Sequence, residues 1–201
     1  MPDEMGLFEA MYSQRAIRFL KPDPIPDELV EKVIEAGIRA PNGGNTQGWG
    51  FVVIKDVEVK KKMAPLYQNV GRPNHGAAQT WSEKNSASSA EYLGDHIAEV
   101  PVWILACIKN AGNDISTGAS IYPAVQNMLL AARALGLGSV LTTRVRRGYE
   151  DEMREWIGLP EGWVTAAMIP LGWPMEGHDY GPTNRKPAAL VTHWEKWGEQ
   201  R

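Results

Sequence analysis

One cysteine, Cys107, stands in 201 residues. A lone thiol cannot close an internal disulfide or build a cysteine-based zinc site. It lies in the apolar run VPVWILACI, where it reads as a small core residue. The four histidines, His75, His96, His178 and His193, are scattered without metal-ligand spacing. No apolar stretch is long enough to span a membrane. The N-terminal MPDEMGLFEAMYSQR is acidic and has no apolar signal core. The expected compartment is therefore the cytoplasm. Neither charge sign dominates: 21 Lys and Arg stand against 24 Asp and Glu, for a formal charge of −3. That gives no bulk drive toward nucleic acid or an anionic membrane, although a local basic pocket needs only a few residues. No acid–base pair, nucleophile triad or metal cluster stands out either. An enzyme built this way would leave its chemistry to a bound cofactor.

What is present suits one soluble globular domain spanning 1–201, with 43% hydrophobic and 22% charged residues. Eight tryptophans read mainly as core or interface anchors. Residues 6–14 predict a short helix with Leu7, Phe8, Met11 and Tyr12 on one face. RAIRFLKPDPIP is proline-rich and extended. Residues 27–40 predict an amphipathic helix through Leu29, Val30, Val33, Ile34 and Ile38, with Asp27 and Glu28 in its first turn. WGFVVI (49–54), the run 100–108, SVLTTRV (139–145) and 164–173 read as strands. Residues 57–68 predict a helix facing inward through Val59, Met63 and Leu66. Residues 119–135 predict a long helix stopped by Gly136, and 149–159 a short one. Residues 69–90 are weakly patterned and read as a mobile, lid-like excursion, with a helix near 89–98. The tail from Pro174 is polar and irregular but carries Trp194 and Trp197, so it must pack on its own domain or on a partner. Helices and strands mingle, which predicts an α+β domain.

Four segments could hold a ligand. Arg15 and Arg18, with Lys21 close by, can reach one polyanion because arginine binds phosphate with two parallel donors. On spacing alone they read more readily as a solvated basic surface. PNGGNTQ (41–47) joins glycines, which allow close backbone approach, to Asn42, Asn45 and Gln47, whose amides can read a heterocycle's polar edge. It reads equally as a plain turn. GLGSVLTT (136–143) is not a dinucleotide fingerprint, because its order is helix, glycines, strand. Thr142 and Thr143 could donate to a ligand, or simply favour a strand. Arg185 and Lys186 add two late cations.

In order along the chain, QRAIRFL, IPDELVEKVIEAGIRAP, APNGGNTQGWGFVVIKD, YPAVQNMLLAARALGLGSVLTT, IPLGWP and NRKP resemble the nitroreductase family. The resemblance spans nearly the whole chain and is poorest over 69–98. It implies an α+β fold with a central, mostly antiparallel sheet flanked by helices, in an intertwined homodimer. It implies two FMN sites, each built from both chains, and a tail (174–201) wrapping the partner. By the same resemblance Gln14, Arg15 and Ala16 lie along the FMN phosphate and ribityl chain, and Arg18 lies near the flavin N1 and C2 carbonyl. A cation there would stabilise negative charge that develops on reduction. Asn42, Gly43, Asn45 and Gln47 match the loop given by the partner. Leu141, Thr142 and Thr143 match the segment beside the flavin N5 and C4 carbonyl, and Arg185 matches the late phosphate-binding arginine. Gln14 and Ala16 depart from the family's usual arginine and serine, which weakens two phosphate contacts. The implied activity is ping-pong transfer from NADH or NADPH to a flat electrophile such as a nitroaromatic, quinone or enone. The alternatives are reductive dehalogenation of the deiodinase type, suggested by the Thr142–Thr143 pair, and a flavin-binding protein without turnover.

Overall fold

A computed structural model of the chain describes residues 5–68, 81–109 and 115–201, without the side chains of 81–86. The part of the lid-like excursion over 69–80 lies outside the described residues. The sheet is organised by two long strands, β3 (Val102–Lys109) and β5 (Trp163–Pro174). β2 (Trp49–Ile54) pairs with the free side of β3. β1 (Leu20–Lys21) and β4 (Gly138–Ser139) both pair near the end of β5, giving the order β1-β5-β3-β2 with β4 beside β5. Every pairing is antiparallel.

The apolar run that forms β3 is continuous because both of its faces are covered. Successive side chains point to opposite faces. Trp103, Leu105 and Cys107 enter one core, and Val102, Ile104, Ala106 and Ile108 enter the other. On β5 a bulge inserts Ala166 between the partners of Ala106 and Cys107. The inward parity therefore switches: Val164 and the bulged Ala166, then Ile169 and Leu171, all lie on the same side.

That side is covered by α2 (Asp27–Gly37) and α5 (Ile115–Ala134). Ile121, Val125, Met128, Leu129 and Ala132 of α5 repeat at three and four residues and meet Val30 and Val33 of α2. Gly37 lets the two helices approach, since a Cβ there would lie 2.7 Å from Met128 Cγ. α5 stops where Gly136 takes φ +77°, and Leu137 N–H turns back to the Ala132 carbonyl at 2.8 Å. The other side is covered by α3 (Val57–Gln68), α4 (Trp81–Asp95) and α6 (Glu150–Trp156). Among the described residues no helix is long and apolar enough to cross a membrane.

Several boundaries differ from the sequence reading. α2 ends at Gly37 rather than residue 40, because the bonds of Arg39 and Ala40 tighten to i−3 before Pro41. α5 begins at Ile115 rather than 119. α4 begins at Trp81, not near 89; its first turns are polar and carry no apolar period to read. Residues 139–145 are not one strand. Only Gly138–Ser139 pairs, Thr142 bridges Met168, and Arg144–Arg146 form a short 3-10 turn.

The inward face of α3 is also rotated. It consists of Lys60, Met63, Ala64 and Tyr67, while Val59 is exposed and Leu66 only half-buried. Lys60 is buried because its ammonium donates to the Val100 and Pro101 carbonyls at 2.6 and 3.1 Å. Burial lowers its pKa, with Asp56 acting the other way. The unfolded chain therefore holds this proton more tightly than the folded one. Raising the pH toward the ordinary lysine value should favour folding at this position. Urea unfolding should show the wild type gaining stability relative to Lys60→Met between neutral and alkaline pH. A constant difference would contradict the depressed pKa.

α1 (Leu7–Ser13) presents Leu7, Phe8, Met11 and Tyr12 together, as the spacing predicts, but all four are exposed in the single chain. Leu190, Val191, Trp194 and Trp197 of the tail are exposed too.

Candidate functional site

The segment that follows α1 is tied to the strand end. Ile17 is buried, and its N–H donates to the Ser139 carbonyl at 3.0 Å. This ties the Gln14–Arg18 segment to the chain at Ser139, two residues before Leu141. Arg15 and Ala16 are exposed, while Gln14, Leu141, Thr142 and Thr143 are half-buried. Arg18 is half-buried, and its Nη1 donates to Ser89 Oγ of α4 at 3.2 Å. Desolvation lowers its pKa, and Tyr67 acts in the opposite direction. Among the described residues it has no carboxylate partner. A desolvated guanidinium that lacks a carboxylate partner among the described residues is costly and suits an anionic ligand.

Tyr67 feels the charge of Arg18 and touches Thr142. Its hydroxyl donates to Thr142 Oγ1 at 3.4 Å, and Arg144 N–H donates to the same oxygen at 3.3 Å. The Arg144 guanidinium lies 4.8 Å from the Tyr67 ring centroid, a cation–π contact. Sequence reasoning missed Tyr67, Ser89 and Arg144. Tyr67 could have been found as the position one α3 turn beyond Met63 and Ala64. Arg144 was in view beside Thr143 but was taken for part of a strand.

α4 is held over this region by stacked rings. Phe19 packs on Tyr92 at 4.3 Å and on His178 at 3.8 Å, and Tyr92 packs on His96 at 4.1 Å.

The 41–47 loop is anchored elsewhere. Gly43 N–H donates to Ser120 Oγ of α5 at 3.1 Å. Asn42 Oδ1 accepts from Gln47 N–H at 2.8 Å, so this oxygen closes the loop instead of facing a heterocycle. Asn45 and Gln47 take φ +52° and +50°, uncommon for residues other than glycine and a conformation that concentrates at ligand-binding sites. Asn45 and Gln47 are exposed, as is Gly43. A cavity of about 540 Å³ opens beside the start of α5, lined by Ile108, Ile115, Tyr122, Val164 and Arg146. Arg185 is exposed in the tail and donates to the Asn184 carbonyl at 3.0 Å. The single chain thus gathers Arg18, Tyr67 and Thr142 into one region, with Tyr67 bonded to Thr142 and acting on Arg18 through charge. Among the described residues no hydrogen bond or ion pair joins the loop or Arg185 to these three.

The family model of the nitroreductase family matches residues 11–173. The chain belongs to the nitroreductase family. An Archaeoglobus fulgidus protein, provisionally named as an NADH dehydrogenase/NAD(P)H nitroreductase, is 32% identical over 93% of this chain and 96% of its own length. Rat iodotyrosine deiodinase 1 is 26% identical over 89% of this chain, which spans 66% of the deiodinase. A Bacteroides fragilis nitroreductase solved with bound FMN shares the fold, with a TM-score of 0.73 at 20% identity over 95% of this chain and 100% of that one. The nitroreductase fold accounts for the antiparallel α+β architecture described above.

Proposed function

We propose that the chain is an FMN-dependent oxidoreductase, active as a homodimer, that passes electrons from NADH or NADPH to a flat electrophilic acceptor such as a nitroaromatic, quinone or enone. The observation that carries this reading is Arg18, desolvated, without a carboxylate partner among the described residues, and coupled through charge to Tyr67, which bonds the Thr142 hydroxyl. This donor set fits the electron-rich edge of an isoalloxazine. The chemistry FMN supplies when bound is acceptance of a hydride from the nicotinamide and, after its departure, delivery to an acceptor in the same slot. Arg18 holds positive charge where negative charge develops, in a site of low dielectric where it counts most. Leu141, Thr142 and Thr143 line the reactive face. Arg15 and Arg185 hold the phosphate. Gln14 and Ala16 leave the phosphate end with fewer donors.

The loop residues Asn42, Gly43, Asn45 and Gln47 come from the second copy. The exposed apolar face of α1 and the exposed Trp194 and Trp197 support such an assembly, since isolated chains rarely expose so much apolar surface together. Light scattering on the purified protein should give the mass of two chains. The mass of one would contradict a shared site.

Arg185→Ala should weaken FMN binding about tenfold, the scale of one charge-assisted hydrogen bond, with fluorescence quenching of added flavin as the readout. Full retention would reject the phosphate role.

A second reading, reductive dehalogenation, is favoured by the Thr142 hydroxyl, fixed by two donors, and by the likeness to the deiodinase. Anaerobic turnover of a halophenol against a nitroaromatic separates the two: faster halophenol turnover would replace the first reading.

A further inference from the structure

Arg144 is the most unusual polar group near this site. Its Nη1 is buried and has no hydrogen-bond partner among the described residues. Buried guanidinium donors are rarely left unpaired in native proteins, because the lost hydration is not recovered. The guanidinium lies over the Tyr67 ring, with Nη1 packed close against Gly94. A Cβ there would stand 3.0 Å from Nη1. Arg18 acts on the same tyrosine through charge, and the described residues show no carboxylate paired with either arginine. Thr142 Oγ1 already accepts from Tyr67 and from Arg144 N–H, which fills its lone pairs and leaves its own proton for a ligand oxygen. The arrangement is a cationic, half-buried donor set next to an aromatic ring.

We propose that Arg144, together with the Thr142 hydroxyl, forms an anion-binding subsite for the electron acceptor, so that aromatic acceptors bearing a carboxylate are preferred over neutral ones of the same shape. This rests on the oxidoreductase reading for its use in turnover, but binding of the anion does not. A carboxylate oxygen supplies the missing partner of Nη1, and the ring that carries it stacks no differently from that of its amide. The subsite therefore discriminates by charge, and Arg144 sets the specificity.

The probes are benzoate and benzamide, titrated by calorimetry into the protein with and without FMN. Para-nitrobenzoate and para-nitrobenzamide serve as acceptors in steady-state reduction. Wild type should bind benzoate about tenfold more tightly than benzamide. Arg144→Gln should abolish that preference and lower the kcat/KM ratio of nitrobenzoate to nitrobenzamide by about tenfold. Arg144→Lys, which keeps the charge but loses the planar fork, should restore part of it. Equal binding of benzoate and benzamide by wild type, or an unchanged ratio in Arg144→Gln, would overturn the proposal. A protein that takes up no FMN but still prefers benzoate would reject the oxidoreductase reading and uphold the subsite. A flavoprotein reducible by NADH that does not distinguish the two probes would do the reverse.

Discussion

Arg18→Ala should slow flavin reduction by NADH or NADPH about a hundredfold, the usual scale for removing one preorganised donor from a developing negative charge. The same substitution should make the flavin's midpoint potential more negative, because the reduced, more anionic form loses its counter-charge. Arg18→Lys should recover part of both effects. Arg18→Met separates function from folding. The native guanidinium is desolvated and, among the described residues, reaches only Ser89 Oγ by hydrogen bond. Replacing it with an apolar chain should therefore leave the urea midpoint of the flavin-free protein unchanged or higher. Stopped-flow reduction and a potential titration read the first pair of effects. Reduction at the wild-type rate in Arg18→Ala would remove Arg18 from its assigned role.

The largest expected effect on stability is at Trp103. It is 1% exposed on the central strand, and its indole N–H donates to the Ile97 carbonyl at 2.9 Å. Trp103→Ala should cost about 3–5 kcal/mol through the cavity it leaves. The orphaned carbonyl should add about 1–3 kcal/mol if water cannot reach it. Together these approach the whole stability of a typical domain, about 5–15 kcal/mol. Trp103→Phe keeps most of the packing and should cost much less. Urea unfolding of both variants is the check. A loss below about 1 kcal/mol for alanine would contradict a core that packs tightly on this side of the sheet.

The fold was legible wherever hydrophobic pattern and burial coincide. WGFVVI, the run ending in Lys109 and the run ending at Pro174 are apolar because they are strands of one sheet, and α5 is periodic because only one side of it meets that sheet. α4 was misjudged because its anchors, Tyr92 and Leu93, sit at its C-terminal end while its first turns are polar. The buried face of α3 was misjudged because Lys60 takes a core position through two carbonyls that lie 40 and 41 residues away in sequence. The same limit applies to the site. The cations and the two threonines were visible as residues. The contact between Tyr67 and Thr142 spans 75 positions and follows no local period. The unpartnered nitrogen of Arg144 depends on the packing of α3, α4 and the 3-10 turn together.

Addition of NADH or NADPH, without oxygen, to the purified protein reconstituted with FMN is the decisive observation. Loss of the flavin's visible absorption band, and its return when a nitroaromatic is added, is the expected result. A protein that remains colourless in the presence of FMN, or a yellow one that neither nicotinamide can bleach, would contradict the account.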